Sequence, residues 1–239
     1  MKKSTIVIKL IPLYCTVFVL LLLIAGKGSS AVSTYYENQR IKNITTIVID
    51  PGHGGIDGGA TSYSGILESQ INLEISLRLD DLLHLLGINT VMIRKTDESI
   101  YTTGATISQK KISDLRERVR IVSSVENAVL ISIHQNYFSD SRYCGPQIFY
   151  KNGQGSKTFA KELQNNLNKY LAPNSNRNIK LASGIYLLDK INCDSVLIEC
   201  GFISNPSDDA KLNDEGYQKN LCVVIATTCS GFIKTRSIS

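Results

Sequence analysis

Apolar, β-branched runs alternate along this chain with stretches in which apolar residues recur every three or four positions. A short apolar run bounded by glycine, proline or polar residues is typical of a buried strand in a parallel sheet, because both faces of such a sheet are covered. The strands predicted in this way cover residues 45–50, 90–94, 128–134, 147–150, 184–188 and 195–200.

Helical periodicity fills most of the intervals between these strands. The clearest pattern begins at Glu68 and ends at Gly87, and glycine commonly closes helices. Residues 95–112 are polar with little periodicity and predict a long loop. The predicted helices cover residues 68–86, 113–126, 156–171, a short segment from 205, and 217–233. Strands that alternate with helices predict an α/β fold, a three-layer sandwich whose twisted, mostly parallel sheet has helices on both faces.

The first 31 residues differ in character from the rest of the chain. Lys2 and Lys3 precede an apolar run over residues 10–26, and small residues follow up to Ala31. This pattern predicts a cleaved signal peptide, but the run also reaches the short end of a membrane span, so an uncleaved N-terminal membrane anchor stays open. Either form predicts export across the cytoplasmic membrane, which leaves the protein secreted or membrane-anchored.

Residues 32–44 are interpreted as a polar tether, and residues 45–236 are long enough for one substantial core, which predicts a single domain. Four lysines in the first 31 residues account for most of the net charge of +5. The remaining 22 basic and 21 acidic residues nearly balance, which gives no support for a nucleic-acid surface. The cysteines after the leader are odd in number, and we expect buried thiols rather than disulfides.

Five polar residues lie where predicted strands end or where a loop enters a helix: Asp50, His53, Glu68, His134 and Glu199. The carboxyl ends of parallel strands share one edge of a sheet, so these residues can converge there. Two histidines and one carboxylate are the usual ligands of a catalytic zinc, which predicts His53, Glu68 and His134 as metal ligands. Glu199 would then take a proton from the attacking water and return it to a leaving amine.

Each of these residues also has a structural interpretation. A histidine at a strand end is commonly a hydrogen-bonded core residue, and a glutamate can complement a helix dipole or join a buried ion pair. Spacing alone leaves the two interpretations evenly balanced, and only the joint occurrence of the five residues favours a metal site. His84, alone on a helix, is assigned a structural role. Arg94, Asp97 and Arg118 are interpreted as a set that forms ion pairs or holds a loop.

Several short motifs between residues 46 and 233 occur in a specific combination. They are Asp50-Pro51-Gly52-His53-Gly54-Gly55, Gly65-Ile66-Leu67-Glu68 with Asn72-Leu73, Arg94-x-x-Asp97, Leu115-x-x-Arg118, Ser132-Ile133-His134-Gln135-Asn136 and Leu197-Ile198-Glu199-Cys200-Gly201-Phe202-Ile203-Ser204-Asn205. Together they resemble the zinc-dependent N-acetylmuramoyl-L-alanine amidases of bacterial cell walls.

That resemblance implies one zinc ion per chain, held by His53, Glu68 and His134, with Glu199 as the catalytic acid/base in a catalytic domain over residues 45–236. It implies hydrolysis of the amide between the lactyl group of N-acetylmuramic acid and L-alanine. The implied partners are peptidoglycan strands with their stem peptides.

Two positions depart from the family pattern. Asp194 stands where a small residue or proline is usual, and Gln135 replaces a common alanine. A small exported chain without wall-binding repeats resembles the germination-specific, spore-cortex amidases of spore-forming bacteria. That narrower resemblance implies removal of stem peptides before muramic-δ-lactam forms, in the cell wall or the forespore intermembrane space.

The sequence leaves several alternatives open. One is whether activity requires an accessory activating protein. A catalytically silent relative that binds peptidoglycan or regulates another protein is a second. A third is another zinc hydrolase of the wall, a carboxypeptidase or a deacetylase.

Overall fold

A six-stranded sheet organises residues 44–236, the part of the chain that the computed structural model describes. The strands are β1 (Thr46–Pro51), β2 (Asn89–Met92), β3 (Ala128–Asn136), β4 (Gln147–Tyr150), β5 (Lys180–Leu181) and β6 (Asp194–Phe202). The helices are α1 (Glu68–Leu85), α2 (Ile107–Ser123), α3 (Gln154–Leu171), α4 (Tyr186–Lys190), α5 (Pro206–Leu212) and α6 (Glu215–Arg236). The described residues include neither the predicted leader, residues 1–31, nor residues 32–43 of the predicted tether. Between residues 44 and 236, no helix has the length and apolar character needed to cross a bilayer.

The strands lie in the order β2-β1-β3-β6-β4-β5. The first four run parallel to one another, whereas β4 pairs antiparallel with β6 and parallel with β5. The predicted mostly parallel sheet is confirmed, with this reversal added. As a result β1, β3 and β6 all end at one edge, and the first residue of β4, Gln147, is paired with Glu199 at that edge.

Helices cover both faces of the sheet, which confirms the predicted three layers. Ile47 faces a large apolar cluster with α1, α3 and α6, and its neighbour Val48 faces a smaller one with α2 and α4. This alternation follows from the two-residue period of a strand. Cys200, Cys222 and Cys229 are buried as free thiols in the larger cluster, as expected from the sequence, whereas Cys193 is half-buried and Cys144 is exposed, contrary to that expectation.

The second helix begins earlier than the sequence pattern predicts. Thr106 caps it through a reciprocal capping box with Gln109, so the helix starts at Ile107 and shortens the predicted loop. Ser113 and Asp114 are therefore not its caps. Their side chains instead accept hydrogen bonds from main-chain N–H groups of the preceding loop, including that of Ile100.

The predicted strand over residues 184–188 is wrong. This segment forms the short helix α4, in which Leu187 and Leu188 are buried against α2 and the sheet. A short apolar run does not by itself distinguish a strand from a turn of buried helix. The strand that pairs with β4 at the edge of the sheet is instead β5, which is two residues long and exposed.

Candidate metal centre

Three side chains that are far apart in the sequence converge at the carboxyl edge of the sheet. Ligand atoms of His53, Glu68 and His134 all lie within 4.8 Å of one another. Nε2 of His53 lies 3.2 Å from Oε2 of Glu68, and Nδ1 of His134 lies 3.0 Å from Oε1. The structure therefore brings together the residues that the sequence predicts as metal ligands, with the carboxylate between the two imidazoles.

His53 follows β1 in a glycine-rich loop and has a left-handed φ of 60°, which is uncommon for a residue other than glycine. Its Nδ1 lies 3.0 Å from the carboxylate of Asp57, which Lys111 contacts at 2.7 Å. Burial lowers the pKa of His53, but the carboxylates of Asp57 and Glu68 outweigh it and raise that pKa to about 9. A carboxylate on Nδ1 fixes the ring orientation and directs Nε2 to the centre, as around metal-bound histidines generally.

Two buried arginines hold the loop that carries His53. Arg94 donates from Nε to Pro51 O at 2.9 Å and from Nη2 to Gly52 O at 3.0 Å. Arg118 donates from Nη1 to Pro51 O at 2.9 Å and from Nη2 to His53 O at 2.6 Å. Three consecutive carbonyls thus accept charge-assisted hydrogen bonds, which fixes the turn that sets the position of the imidazole. This contact agrees with the loop-holding role predicted for the arginines.

Asp50 lies beneath the centre rather than in it. Its carboxylate forms an ion pair with Arg118 and accepts a hydrogen bond from Ser132 at 2.6 Å. Burial raises the pKa of Asp50, but Arg118 and Ser132 outweigh it and hold that pKa below its usual range. Asp50 therefore supports the arginine that holds the loop.

The Glu68 carboxylate is oriented by three donors. Oε2 accepts the N–H of Ala60 at 3.1 Å, and Oε1 accepts the N–H of Gln135 at 3.1 Å and Nδ2 of Asn72 at 3.3 Å. The Gln135 side chain in turn donates to Asn72 Oδ1 at 3.1 Å. Burial raises the pKa of Glu68, but contacts with both histidines hold it well below the usual range. The unusual glutamine thus extends the network that positions this carboxylate.

Two glycines leave the space that these side chains occupy. A Cβ on Gly52 would lie 2.3 Å from Nε2 of the His134 ring, and one on Gly59 would lie 2.6 Å from Oε2 of Glu68. Both distances are far below van der Waals contact. The glycine loop therefore packs its backbone directly against the centre.

Glu199 lies beside the three convergent residues. Its Cα pairs with that of His134 across β3 and β6, so both side chains project from the same face of the sheet. The pairing then shifts, with Phe202 opposite Asn136, and such bulges are common next to active sites. Glu199 Oε2 is buried without a hydrogen-bond partner among the described residues. Burial raises the pKa of Glu199 to about 7.

Two imidazole nitrogens and one carboxylate form the donor set of catalytic zinc sites, which keep a further position open. The buried, unpartnered oxygen of Glu199 makes this residue the candidate for the proton acceptor that such a site needs for hydrolysis. Sequence reasoning missed Asp57, Asn72 and Gln135 as supporting residues. A carboxylate four positions after a candidate ligand was the available signal for Asp57. His84 lies outside the centre, where it contacts Asp80 and Thr90.

Comparisons with known proteins agree with this geometry. The model of the Amidase_3 family, described as N-acetylmuramoyl-L-alanine amidase, matches residues 47–229. The germination-specific N-acetylmuramoyl-L-alanine amidase of Bacillus subtilis is 38% identical over 175 residues, which cover 72% of this chain and 73% of that protein. The B. subtilis amidase LytC is 34% identical over 80% of this chain and 36% of its own length. The structure of the CwlD amidase from Clostridioides difficile, solved in complex with the GerS lipoprotein, aligns with a TM-score of 0.77. It is 37% identical and covers 80% of this chain and 99% of that one.

Proposed function

The chain belongs to the N-acetylmuramoyl-L-alanine amidase family, and we propose that it uses one zinc ion to hydrolyse the amide between the lactyl group of N-acetylmuramic acid and L-alanine. The observation that carries this proposal is the convergence of His53, Glu68 and His134 within 4.8 Å beside the unpartnered carboxylate oxygen of Glu199. The substrate is peptidoglycan, in which such amides join stem peptides to glycan strands.

The proposed zinc ligands fit a cation in three respects. The ligand atoms face one another, the carboxylate contributes one negative charge, and the Asp57 carboxylate supports the far side of the His53 ring. A zinc ion bound there would polarise the scissile carbonyl and stabilise the charge that develops on its oxygen.

Glu199 performs the proton transfers in this proposal. Its buried carboxylate, which has an oxygen without a hydrogen-bond partner among the described residues, accepts a proton from the attacking water and returns it to the nitrogen of L-alanine as the amide breaks. The arginine-held loop and the donors around Glu68 keep the site aligned during both steps. The proton lost by the water is thus the proton gained by the leaving nitrogen, and Glu199 carries it between them.

Arg94 is not free to bind the terminal carboxylate that a carboxypeptidase would recognise, which leaves exposed Arg142 as the other candidate for that role. The Nε and both Nη atoms of Arg94 already donate to main-chain carbonyls, those of Pro51, Thr96 and Gly52 among them. The silent-relative alternative is disfavoured because every proposed site residue is present and in place.

We propose the spore cortex as the biological substrate and an exported location for residues 45–236, the proposed catalytic domain. The support is the relative named germination-specific and the similar CwlD structure. That structure contains a lipoprotein, so we also propose that an accessory protein of this kind assists the chain. Removal of stem peptides would then supply the bare muramic acid from which muramic-δ-lactam forms.

Mass spectrometry of digested sacculi tests the proposed function. Zinc-loaded protein should release intact stem peptides with a free L-alanine amino group, and a chelator should stop the release. Glu199→Gln should lower kcat by about 10²- to 10⁴-fold while zinc stays bound. Free amino acids would indicate a carboxypeptidase and free acetate a deacetylase. No product from zinc-loaded protein, with or without the accessory protein, would indicate a silent relative.

A further inference from the structure

Two aromatic rings form an exposed ledge beside the candidate centre. Phe138 and Tyr143, in the loop between β3 and β4, are each 49% exposed. Their ring centroids lie 5.0 Å apart in an edge-to-face arrangement, and Tyr143 leans on the buried ring of Phe202 at 6.2 Å. We call Phe138 and Tyr143 the aromatic ledge.

The ledge is close to the residues of the metal centre. Phe138 lies four residues after His134, so their Cα atoms are at most about 14 Å apart. Its N–H donates to Ser204 Oγ at 3.1 Å, and Ser204 lies five residues after Glu199. Tyr143 contacts Phe202, which pairs with Asn136 just beyond the His134–Glu199 pair, so the ledge and the centre lie at the same edge of the sheet.

The loop is held in one conformation by contacts with the segment after β6. Asn205 Nδ2 donates to Ser141 O at 2.6 Å, and the Gly145 N–H donates to Asp208 Oδ2 at 2.7 Å. A rigid ledge loses little conformational entropy when a ligand binds, which favours affinity.

The size of the ledge distinguishes between two kinds of occupant. An aromatic side chain offers roughly 150–250 Å², so the half-exposed ledge offers roughly 200 Å². A stable protein–protein interface needs about 800 Å² per partner. The ledge therefore fits one or two sugar rings better than a protein.

The chemistry of a glycan also matches the surroundings of the ledge. The C–H face of a pyranose is apolar with positively polarised hydrogens, which suits the negative face of an aromatic ring. Arg142 and Asp140 supply charged hydrogen-bonding groups at the rim, where they pair at 2.7 Å. Beyond Tyr143 the surface continues into a groove of about 640 Å³ that Arg177 and Lys211 also line.

We propose that the aromatic ledge is a saccharide subsite, which binds a pyranose ring of the glycan strand next to the muramic acid that loses its peptide. This proposal rests on the proposed function because it takes the glycan of that reaction as the ligand. It assigns Phe138 and Tyr143 to substrate binding and leaves the proton transfers to Glu199.

Binding to peptide-free glycan tests the subsite without any need for hydrolysis. The probe is short strands of alternating N-acetylglucosamine and N-acetylmuramic acid, titrated calorimetrically into zinc-loaded protein. Phe138→Ala and Tyr143→Ala should each raise Kd by about 5- to 10-fold, whereas Tyr143→Phe, which keeps the ring, should leave it unchanged. Leu85→Ala is the matched control because Leu85 is an apolar residue, 82% exposed, at the far end of α1.

A kinetic arm separates this proposal from the proposed function. The alanine variants should raise KM for long strands and leave kcat/KM for isolated N-acetylmuramoyl-peptide unchanged. Glycan binding that depends on the ledge without any peptide release would support the subsite and refute the amidase proposal. Peptide release with wild-type Kd and KM in both alanine variants would overturn the subsite alone. Unchanged glycan binding together with lost binding of an accessory protein would show a protein-docking surface and would also overturn it.

Discussion

Gly52→Ala is the most direct test of how the glycine loop builds the centre. Gly52 does not have a left-handed φ, so its backbone accommodates alanine without strain. The added Cβ would nevertheless lie 2.3 Å from both Cε1 and Nε2 of His134. The substitution therefore changes one contact, between the loop backbone and a proposed metal ligand.

The structure gives the size of the expected effect. The His134 ring must move by roughly 1 Å to reach ordinary contact distance from the new methyl group. That movement opens the 3.0 Å contact between His134 Nδ1 and Glu68, whereas metal–ligand distances tolerate only about 0.2 Å. We expect zinc affinity to fall roughly 100-fold, about 2.8 kcal/mol, and overpacking to cost about 1–3 kcal/mol of unfolding free energy.

Competition with a chromogenic chelator measures the zinc affinity, and urea unfolding of the metal-free protein measures the stability. Gly231→Ala is the matched control: Gly231 lies inside α6, and apart from the neighbouring backbone of that helix no atom lies within 4 Å of a Cβ there. This control should keep wild-type zinc affinity and gain roughly 0.5–1 kcal/mol of stability. Wild-type zinc affinity in a folded Gly52→Ala protein would refute the packing argument.

Three further predictions concern the surroundings of the centre. Asp57→Asn should weaken zinc binding by about 10- to 100-fold, because a neutral amide holds Nδ1 of His53 less strongly, and chelator competition measures this. The pKa of Asp50 is lower in the folded protein than in the unfolded chain, where it is about 3.9. The ionised carboxylate therefore contributes its full stabilisation of the fold at pH values above the unfolded pKa, and this contribution is lost as the pH falls through the folded pKa. Asp50→Asn should therefore cost about 1–3 kcal/mol at pH 7, since buried Arg118 loses its ion pair with Asp50 but keeps the one with Asp114, and flatten the loss of unfolding free energy below about pH 4. An equally steep acid loss in that variant would contradict the assignment. His84→Ala should leave zinc content and kcat unchanged, and lost zinc would show that His84 has a role at the site.

The residues of the proposed centre were predictable because their chemistry coincides with their place in the sequence. His53 and His134 each follow a buried run, and the strand rule places both at one edge. Asp57 was harder to recognise, because an acid in a glycine-rich loop has the same sequence signature as an ordinary turn residue. Asn72 and Gln135 support Glu68 only through tertiary contacts between α1 and β3.

The errors in secondary structure have a common cause. The capping box at Thr106 lies in a polar stretch whose helix buries few apolar residues, so periodicity gave no signal there. The segment at Tyr186 is too short for its period to show, and its buried leucines fit either assignment. Local pattern thus predicted the elements that build the large core and failed where a polar contact or a single turn decides the conformation.

The reversal of β4 carries the loop between β3 and β4 across the sheet edge that holds the candidate centre. The chain leaves β3 just after His134, crosses the open edge as the loop that carries Phe138 and Tyr143, and returns along the far side of β6 with Gln147 opposite Glu199. The three proposed metal ligands come from other segments, so this crossing can lengthen, shorten or change its side chains without displacing them. Substitutions in this crossing can therefore change the surface beside the centre while the strand ends that position His53, His134 and Glu199 stay the same.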